Sequence, residues 1–218
     1  MKSERIIVPE GCTQVLLHAC CAPCSSAIVE WLLAHEIEPI IYYYNPNIYP
    51  FEEYEIRKSE SKRHADSLGI QWIDADRKDA TPALCKEKEN SSWDAQHAEW
   101  LFSVKGLEQE PECGKRCSAC FYHRLFATAR KAQELDIPFF ATTLASSRWK
   151  NLDQVNAAGL RAAEMVNKYP SDSILHEPVH FWAQNWRKDG LQERRNTLLK
   201  EYGFYNQQYC GCEFSMRR

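Results

Sequence analysis

From Val15 to Ala34 the chain runs through apolar residues for nearly the length of a membrane span, broken by His18, Pro23 and Glu30. The stretch changes character part-way. Val15 to Ala19 reads as a buried strand, while Ile28, Val29, Leu32 and Leu33 recur on one helical face, with Ser25 or Ser26 as the cap. Between them, Ala19-Cys20-Cys21-Ala22-Pro23-Cys24 carries three thiols and no glycine. In α/β folds this strand-to-helix turn binds ligands, because the free N–H groups of the helix start point outward from the strand end. A phosphate loop would need glycine; thiols here gain from the same helix end, which stabilises thiolates. The turn is read as a metal-binding one.

A chain of 218 residues, 44% of them hydrophobic, can bury one sizeable core. One domain over residues 1–218 is expected, with a helical excursion at 77–112. Met1 to Gly11 carries Lys2, Glu4, Arg5 and Glu10 and lacks the apolar segment of a secretory signal, which predicts a cytoplasmic protein without a membrane partner. Thiols stay reduced there, so ten cysteines read as metal-binding or catalytic rather than as a disulfide framework. They fall into three groups: Cys20, Cys21 and Cys24; Cys113, Cys117 and Cys120; Cys210 and Cys212. Cys12 and Cys85 stand alone and read as small buried hydrophobes. A net charge of −3 argues against a uniformly basic nucleic-acid binder. From Leu144 onward, however, 11 Lys and Arg stand against 8 Asp and Glu, which leaves room for a basic face.

In chain order, Pro39 to Tyr44 reads as a second strand ended by Asn45-Pro46-Asn47. Alternate tyrosines of 42–44 are expected in the core, and those at the loop are candidates for stacking on a base. A charged helix follows from Glu52 to Leu68, stopped by Gly69, then a strand from Ile70 to Ala75. Trp93 and Trp100 mark an amphipathic helix with no chemistry of its own. The next helix spaces Cys117, Cys120, Phe121 and Leu125 so that both thiols face one way. A strand from Ile137 to Leu144 runs into a polar loop holding Arg148, Trp149 and Lys150. That loop reads equally as a phosphate and base clamp or as a solvated, capped helix start. The helix from Leu152 to Lys168 is expected to bury Val155, Leu160, Ala163 and Val166. Ile174 to Phe181 is a weaker strand, placed at an edge by Pro178. Trp186, Arg187 and Lys188 form a second group of indole and cations before a last helix that ends at Gly203. Strands alternating with helices predict an α/β fold with a mainly parallel sheet covered on both faces.

Cys20, Cys21, Cys117 and Cys120 are four soft ligands for zinc or an iron–sulfur cluster. Adjacent cysteines are awkward around one small ion but can reach different corners of a cubane, which favours the cluster. Cys210-Gly211-Cys212 is too tight for an easy grip on one metal and reads as a strained, reducible disulfide pair. Together these predict a reductase.

Several segments, in order along nearly the whole chain, resemble the QueH-type epoxyqueuosine reductases. They are Leu17-His18-Ala19-Cys20-Cys21-Ala22-Pro23-Cys24, Tyr43 to Ile48, Arg116-Cys117-Ser118-Ala119-Cys120-Phe121, Thr142-Thr143-Leu144 with Ser147 to Asn151, and Tyr209 to Ser215. The charged segment 77–112 is a possible departure from the family pattern. The resemblance implies a Rossmann-like (HUP/PP-loop-like) fold with an iron–sulfur site at the first strand-to-helix turn, related to ATP pyrophosphatases that modify tRNA. It implies reduction of the epoxide of epoxyqueuosine at the tRNA wobble position, without cobalamin, using a 4Fe-4S cluster and an additional mononuclear iron. Carried over by motif, Cys20, Cys21, Cys117 and Cys120 hold the cluster, Cys210 and Cys212 are the redox-active pair, and Cys24 is the candidate for touching the second iron. His18, or a tyrosine of 42–44, is the candidate proton donor. Arg148, Trp149, Lys150, Trp186, Arg187 and Lys188 would hold the anticodon; the electron donor is unidentified. Two other readings stay open at this point: a zinc-stabilised RNA-binding module without catalysis, and an ATP-dependent tRNA sulfur transferase. The second would need a Ser-Gly-Gly loop that the first turn lacks.

Overall fold

The computed structural model describes residues 5–76, 91–170 and 176–216. Cys85, the first part of the expected excursion (77–90) and the start of the expected fifth strand lie outside the described residues.

The buried runs of the sequence form one sheet. Its strands are β1 (Gln14–His18), β2 (Glu38–Tyr43), β3 (Trp72–Asp74), β4 (Phe139–Thr142) and β5 (His180–Phe181), all parallel, in the order β3-β2-β1-β4-β5. The helices are α1 (Ala22–Ala34), α2 (Phe51–Ser67), α3 (Ser91–Ser103), α4 (Lys115–Glu134), α5 (Leu152–Lys168) and α6 (Leu191–Glu201). They pack in two groups, α1 with α2 and α6, and α4 with α3 and α5. This is a Rossmann-like α/β arrangement. Coverage on both faces explains why β1 and β2 are apolar without alternation: Val15, Leu16 and Leu17 are fully buried, and Tyr42, Tyr43 and Tyr44 are all in the core rather than every second one. The register sets Leu17 of β1 between Ile41 of β2 and Ala141 of β4.

The chain order reverses between β1 and β4. In open parallel sheets this switch point leaves a crevice at the strands' C-terminal ends, where ligands bind. The Cys20-Cys21 turn follows β1 and Thr143 follows β4, so both open into that crevice.

Three local expectations are corrected. The cap of α1 is Cys21, in extended backbone, and not Ser25 or Ser26; Pro23 fits the first turn because it has no N–H to leave unpaired. Both serines lie inside the helix, donating back to the carbonyls of Cys21 and Ala22 (Ser25) and of Pro23 (Ser26). Leu160 is 55% exposed, because the buried face of α5 is Val155, Ala158, Gly159, Ala162, Ala163 and Val166, and position 160 lies off that stripe. Gly159 lets α5 sit directly on β5: a Cβ there would lie 2.4 Å from the Phe181 ring. Trp186 is 1% exposed, packed against Trp31 and Trp182, and offers no face to a nucleotide base.

No helix among the described residues is long and apolar enough to cross a membrane.

Candidate metal centre

Because α1 starts at Ala22, Cys20 and Cys21 precede the helix and Cys24 falls in its first turn. The three sulfurs lie within 4.8 Å of one another, all buried, and among the described residues they form the one such group of potential ligands. Thr143 at the end of β4 fixes this turn: its hydroxyl accepts from the Cys20 amide (3.1 Å) and donates to Cys20 Sγ (3.4 Å). Hydrogen bonds from Cys21 and Cys24 hold the Cys20 thiol well below its ordinary pKa, against the opposing effect of burial, and Lys150 adds its charge. The Cys21 thiol is pushed well up by the same contact. Soft, buried sulfurs at a helix start, with Cys20 lowered by its two thiol neighbours, fit a thiophilic metal.

Cys117 and Cys120 do not join that group. Cys120 packs with Trp100, Val104 and Cys212 in a separate apolar cluster, against which Cys210 and Phe214 also rest. The turn thiols thus form one group and Cys120, Cys210 and Cys212 another, while Cys117 rests half-buried against the main core. Several groups tie the sets together. The Gln207 amide donates to Cys21 Sγ at 3.3 Å. Arg57, 3% exposed, donates to the carbonyls of Tyr209 (3.1 Å) and Cys210 (3.3 Å) and pairs with Glu53 at 2.6 Å, while Glu53 accepts from Tyr205 at 2.7 Å. Lys150 lowers the pKa of both Cys20 and Cys210.

Within the tail the two thiols are unlike. Cys210 is lowered to about 5, chiefly by a hydrogen bond from Cys212, with further help from Lys150 against burial; Cys212 is raised by the same contact and by burial. Both are free thiols. Gly211 between them has φ +100°, and a Cβ would lie 2.9 Å from Ile48 Cγ1, so only glycine fits where Tyr49 N donates to Gly211 O (2.9 Å).

His18 is fully buried with both ring nitrogens engaged. Nε2 donates to the Tyr44 carbonyl (3.1 Å), which leaves Nδ1 to accept from the Thr142 hydroxyl (2.9 Å). Burial, then the charge of Arg124, lower its pKa to about 4. It is a neutral brace between β1, β2 and β4, with no free nitrogen for a substrate proton.

Of the expected substrate residues, Arg148 stacks over Trp149 (4.7 Å to the centroid), and that indole is 74% exposed. Arg187 reaches the same loop by donating to the Lys150 carbonyl at 2.7 Å. Lys188 lies one residue beyond, its amide bonded to Asn185 O. Lys150, read from sequence as a phosphate ligand, stands close enough to the thiols to act on both sets.

Glu53, Arg57, Arg124 and Gln207 were not foreseen. Glu53 and Arg57 could have been found, since an acid and a base four apart on a helix form a pair. The others show only in three dimensions.

A family model described as epoxyqueuosine reductase QueH matches residues 15–218. This chain belongs to the epoxyqueuosine reductase QueH family. The protein of that name from Haemophilus influenzae is 42% identical over 214 residues, spanning 98% of this chain and 76% of that protein. Its counterpart from Acinetobacter baylyi is 39% identical, spanning 98% of this chain and 85% of its own length. The one from Thermotoga maritima is 32% identical, spanning 93% and 90%. QueH relatives carry the name of an enzyme, and the matched region contains all three cysteine groups.

Proposed function

We propose that this chain reduces the epoxide of epoxyqueuosine, at the wobble position of tRNA, to the alkene of queuosine. What supports this most is the pair Cys210 and Cys212, whose contact lowers the first thiol and raises the second, in a chain that also gathers Cys20, Cys21 and Cys24 within 4.8 Å of one another. The reaction consumes two electrons and two protons and releases water. Oxidation of the Cys210 thiolate and Cys212 thiol to a disulfide yields two electrons and one proton, and water supplies the second proton. An external reductant of unknown identity then restores the dithiol.

In this reading Cys20, Cys21, Cys117 and Cys120 hold a 4Fe-4S cluster, Cys24 faces an additional iron, and no cobalamin is used. Such a centre supplies single electrons and a Lewis acid for the departing oxygen. Lys150 balances thiolate charge, and Gln207 and Arg57 keep the tail closed over the turn. Arg148, Trp149, Arg187 and Lys188 take the anticodon, cations on phosphates and the exposed indole on a splayed base. A tRNA substrate would place the protein in the cytoplasm.

The test is anaerobic purification with iron and acid-labile sulfide assays, followed by single turnover on epoxyqueuosine-containing tRNA. About four sulfides per chain and loss of the epoxide support the proposal. Stoichiometric zinc with no sulfide after anaerobic reconstitution, and unchanged tRNA, would overturn it in favour of a zinc-stabilised RNA-binding module.

A further inference from the structure

On α4, Arg116, Cys120 and Arg124 are four residues apart and therefore share one face. All three are buried, Arg116 at 2% exposure and Arg124 at 3%. Arg124 donates from Nε to the Cys120 carbonyl and from Nη1 to Asn45 Oδ1, both at 3.4 Å, and its Cζ lies 5.7 Å from the Phe121 centroid. Asn45 passes the contact on by donating to the Ala19 carbonyl at 2.8 Å, immediately before Cys20. Arg116 donates to the carbonyls of Glu108 (2.7 Å) and Glu110 and lies over the Phe214 ring at 5.5 Å, while its Nε has no partner.

Among the described residues, neither guanidinium has a carboxylate partner. Arg57, the third deeply buried arginine of this region, has Glu53 at 2.6 Å. Burying a cation without an anion costs several kcal/mol, so a fold that keeps two of them is organised around negative charge supplied from elsewhere. Carbonyl dipoles and ring faces offset part of that cost but supply no net charge. Thiolates bound to a metal do supply it, and they stand along the same helix, beside Cys120 and, through Asn45, beside Cys20.

We infer that Arg116 and Arg124 are the counter-charges of an anionic metal–thiolate centre, positioning residues that retain the metal and raise its reduction potential. The inference rests on the proposed metal centre. It assigns these arginines to the metal, not to tRNA phosphates, and makes Arg124 with Asn45 the link that holds the Cys20 turn in register with α4. A fixed positive charge favours the more reduced, more negative state, so its removal shifts the potential downward.

The pair Arg124→Lys and Arg124→Gln separates charge from shape, since both lose the guanidinium fork and only one keeps the charge. In the anaerobically loaded protein, Arg124→Gln is expected to lower the midpoint potential and weaken metal retention against a chelator by about 10–100-fold, with Arg124→Lys recovering most of both. In the metal-free, reduced protein, Arg124→Gln is expected to melt no lower than Arg124→Lys. Equal potentials and equal retention in the two variants, or a metal-free Arg124→Gln that melts below Arg124→Lys as far as the loaded form does, would overturn the inference. Arg116→Lys and Arg116→Gln repeat the comparison if position 124 does not tolerate change, and the same outcomes decide. Iron and sulfide in the unaltered protein test the cluster reading separately: a zinc-loaded chain refutes that reading, and the retention comparison then still decides the role of the arginines.

Discussion

The side-chain amide of Gln207 lies 3.3 Å from Sγ of Cys21, joining the tail to the first turn of the fold. Gln207 Oε1 is buried and has no partner, so the side chain is directed at the thiols rather than at a second protein group. Gln207→Ala is expected to leave melting within the cost of one hydrogen bond, about 0.5–1.5 kcal/mol, while metal loaded onto the thiols is lost to a chelator about 10-fold faster. Chelator kinetics on the loaded protein check this; an unchanged rate would show that the contact does not close the site.

The two tail thiols should differ in reactivity. With Cys210 lowered to about 5, its alkylation by iodoacetamide in the metal-free reduced protein should be flat between roughly pH 6 and 8 and fall only as pH drops through about 5. Because the largest cause is the hydrogen bond from Cys212, Cys212→Ala should move that inflection upward, towards an ordinary thiol. Mass spectrometry of the alkylated tail gives both profiles.

Gly211 is held at φ +100° against Ile48 and Arg57. Gly211→Ala should cost about 1–3 kcal/mol in denaturant unfolding, with the loss concentrated in the tail. Hydrogen exchange would show residues around 205–215 opening before the sheet; uniform destabilisation would contradict the tail's being a separate layer.

Trp100 is fully buried between His97 (5.5 Å) and Phe214 (6.1 Å). Its truncation, Trp100→Ala, should cost about 3–5 kcal/mol, read by denaturant unfolding, with hydrogen exchange showing the loss concentrated where α3, α4 and the tail meet around Cys120 and Cys212. The helix that bears it, read from sequence as packing without chemistry, is packing in the structure too, and what it packs against includes Cys120 and Cys212.

Replacing Arg148 and Arg187 with Glu should weaken tRNA binding and flatten its salt dependence, since phosphate contacts release counterions. Trp186→Ala should instead lower the melting temperature, because that indole is core. If Trp186→Ala weakened tRNA binding with stability intact, the assignment of Trp186 to the core would have to be abandoned.

The elements themselves were legible because each carries a local period or breaker. Val15 to Ala19 reads as strand from its apolar run and overlaps all but the first residue of β1, Gly69 stops α2, and α5 has the bounds Leu152–Lys168 that its pattern predicts. What was not legible depends on neighbours. Serine is a good cap in isolation, yet Pro23 lets the helix begin earlier and turns Ser25 and Ser26 inward. Trp186, followed by two cations, suits a base as well as Trp149 does until Trp31 and Trp182 are seen to enclose it. The grouping of Cys20, Cys21 and Cys24 was legible from their spacing in one turn, whereas the packing of Cys120 with Cys212 requires knowing where the tail returns.

Cys21 and Gln207 are separated by 186 positions along the chain. At about 5–20 residues per second of synthesis, the tail follows the turn by about 10–40 s. Throughout that interval the three thiols of the turn exist without the segment that carries Gln207, so the turn and its tail contact are completed at opposite ends of synthesis.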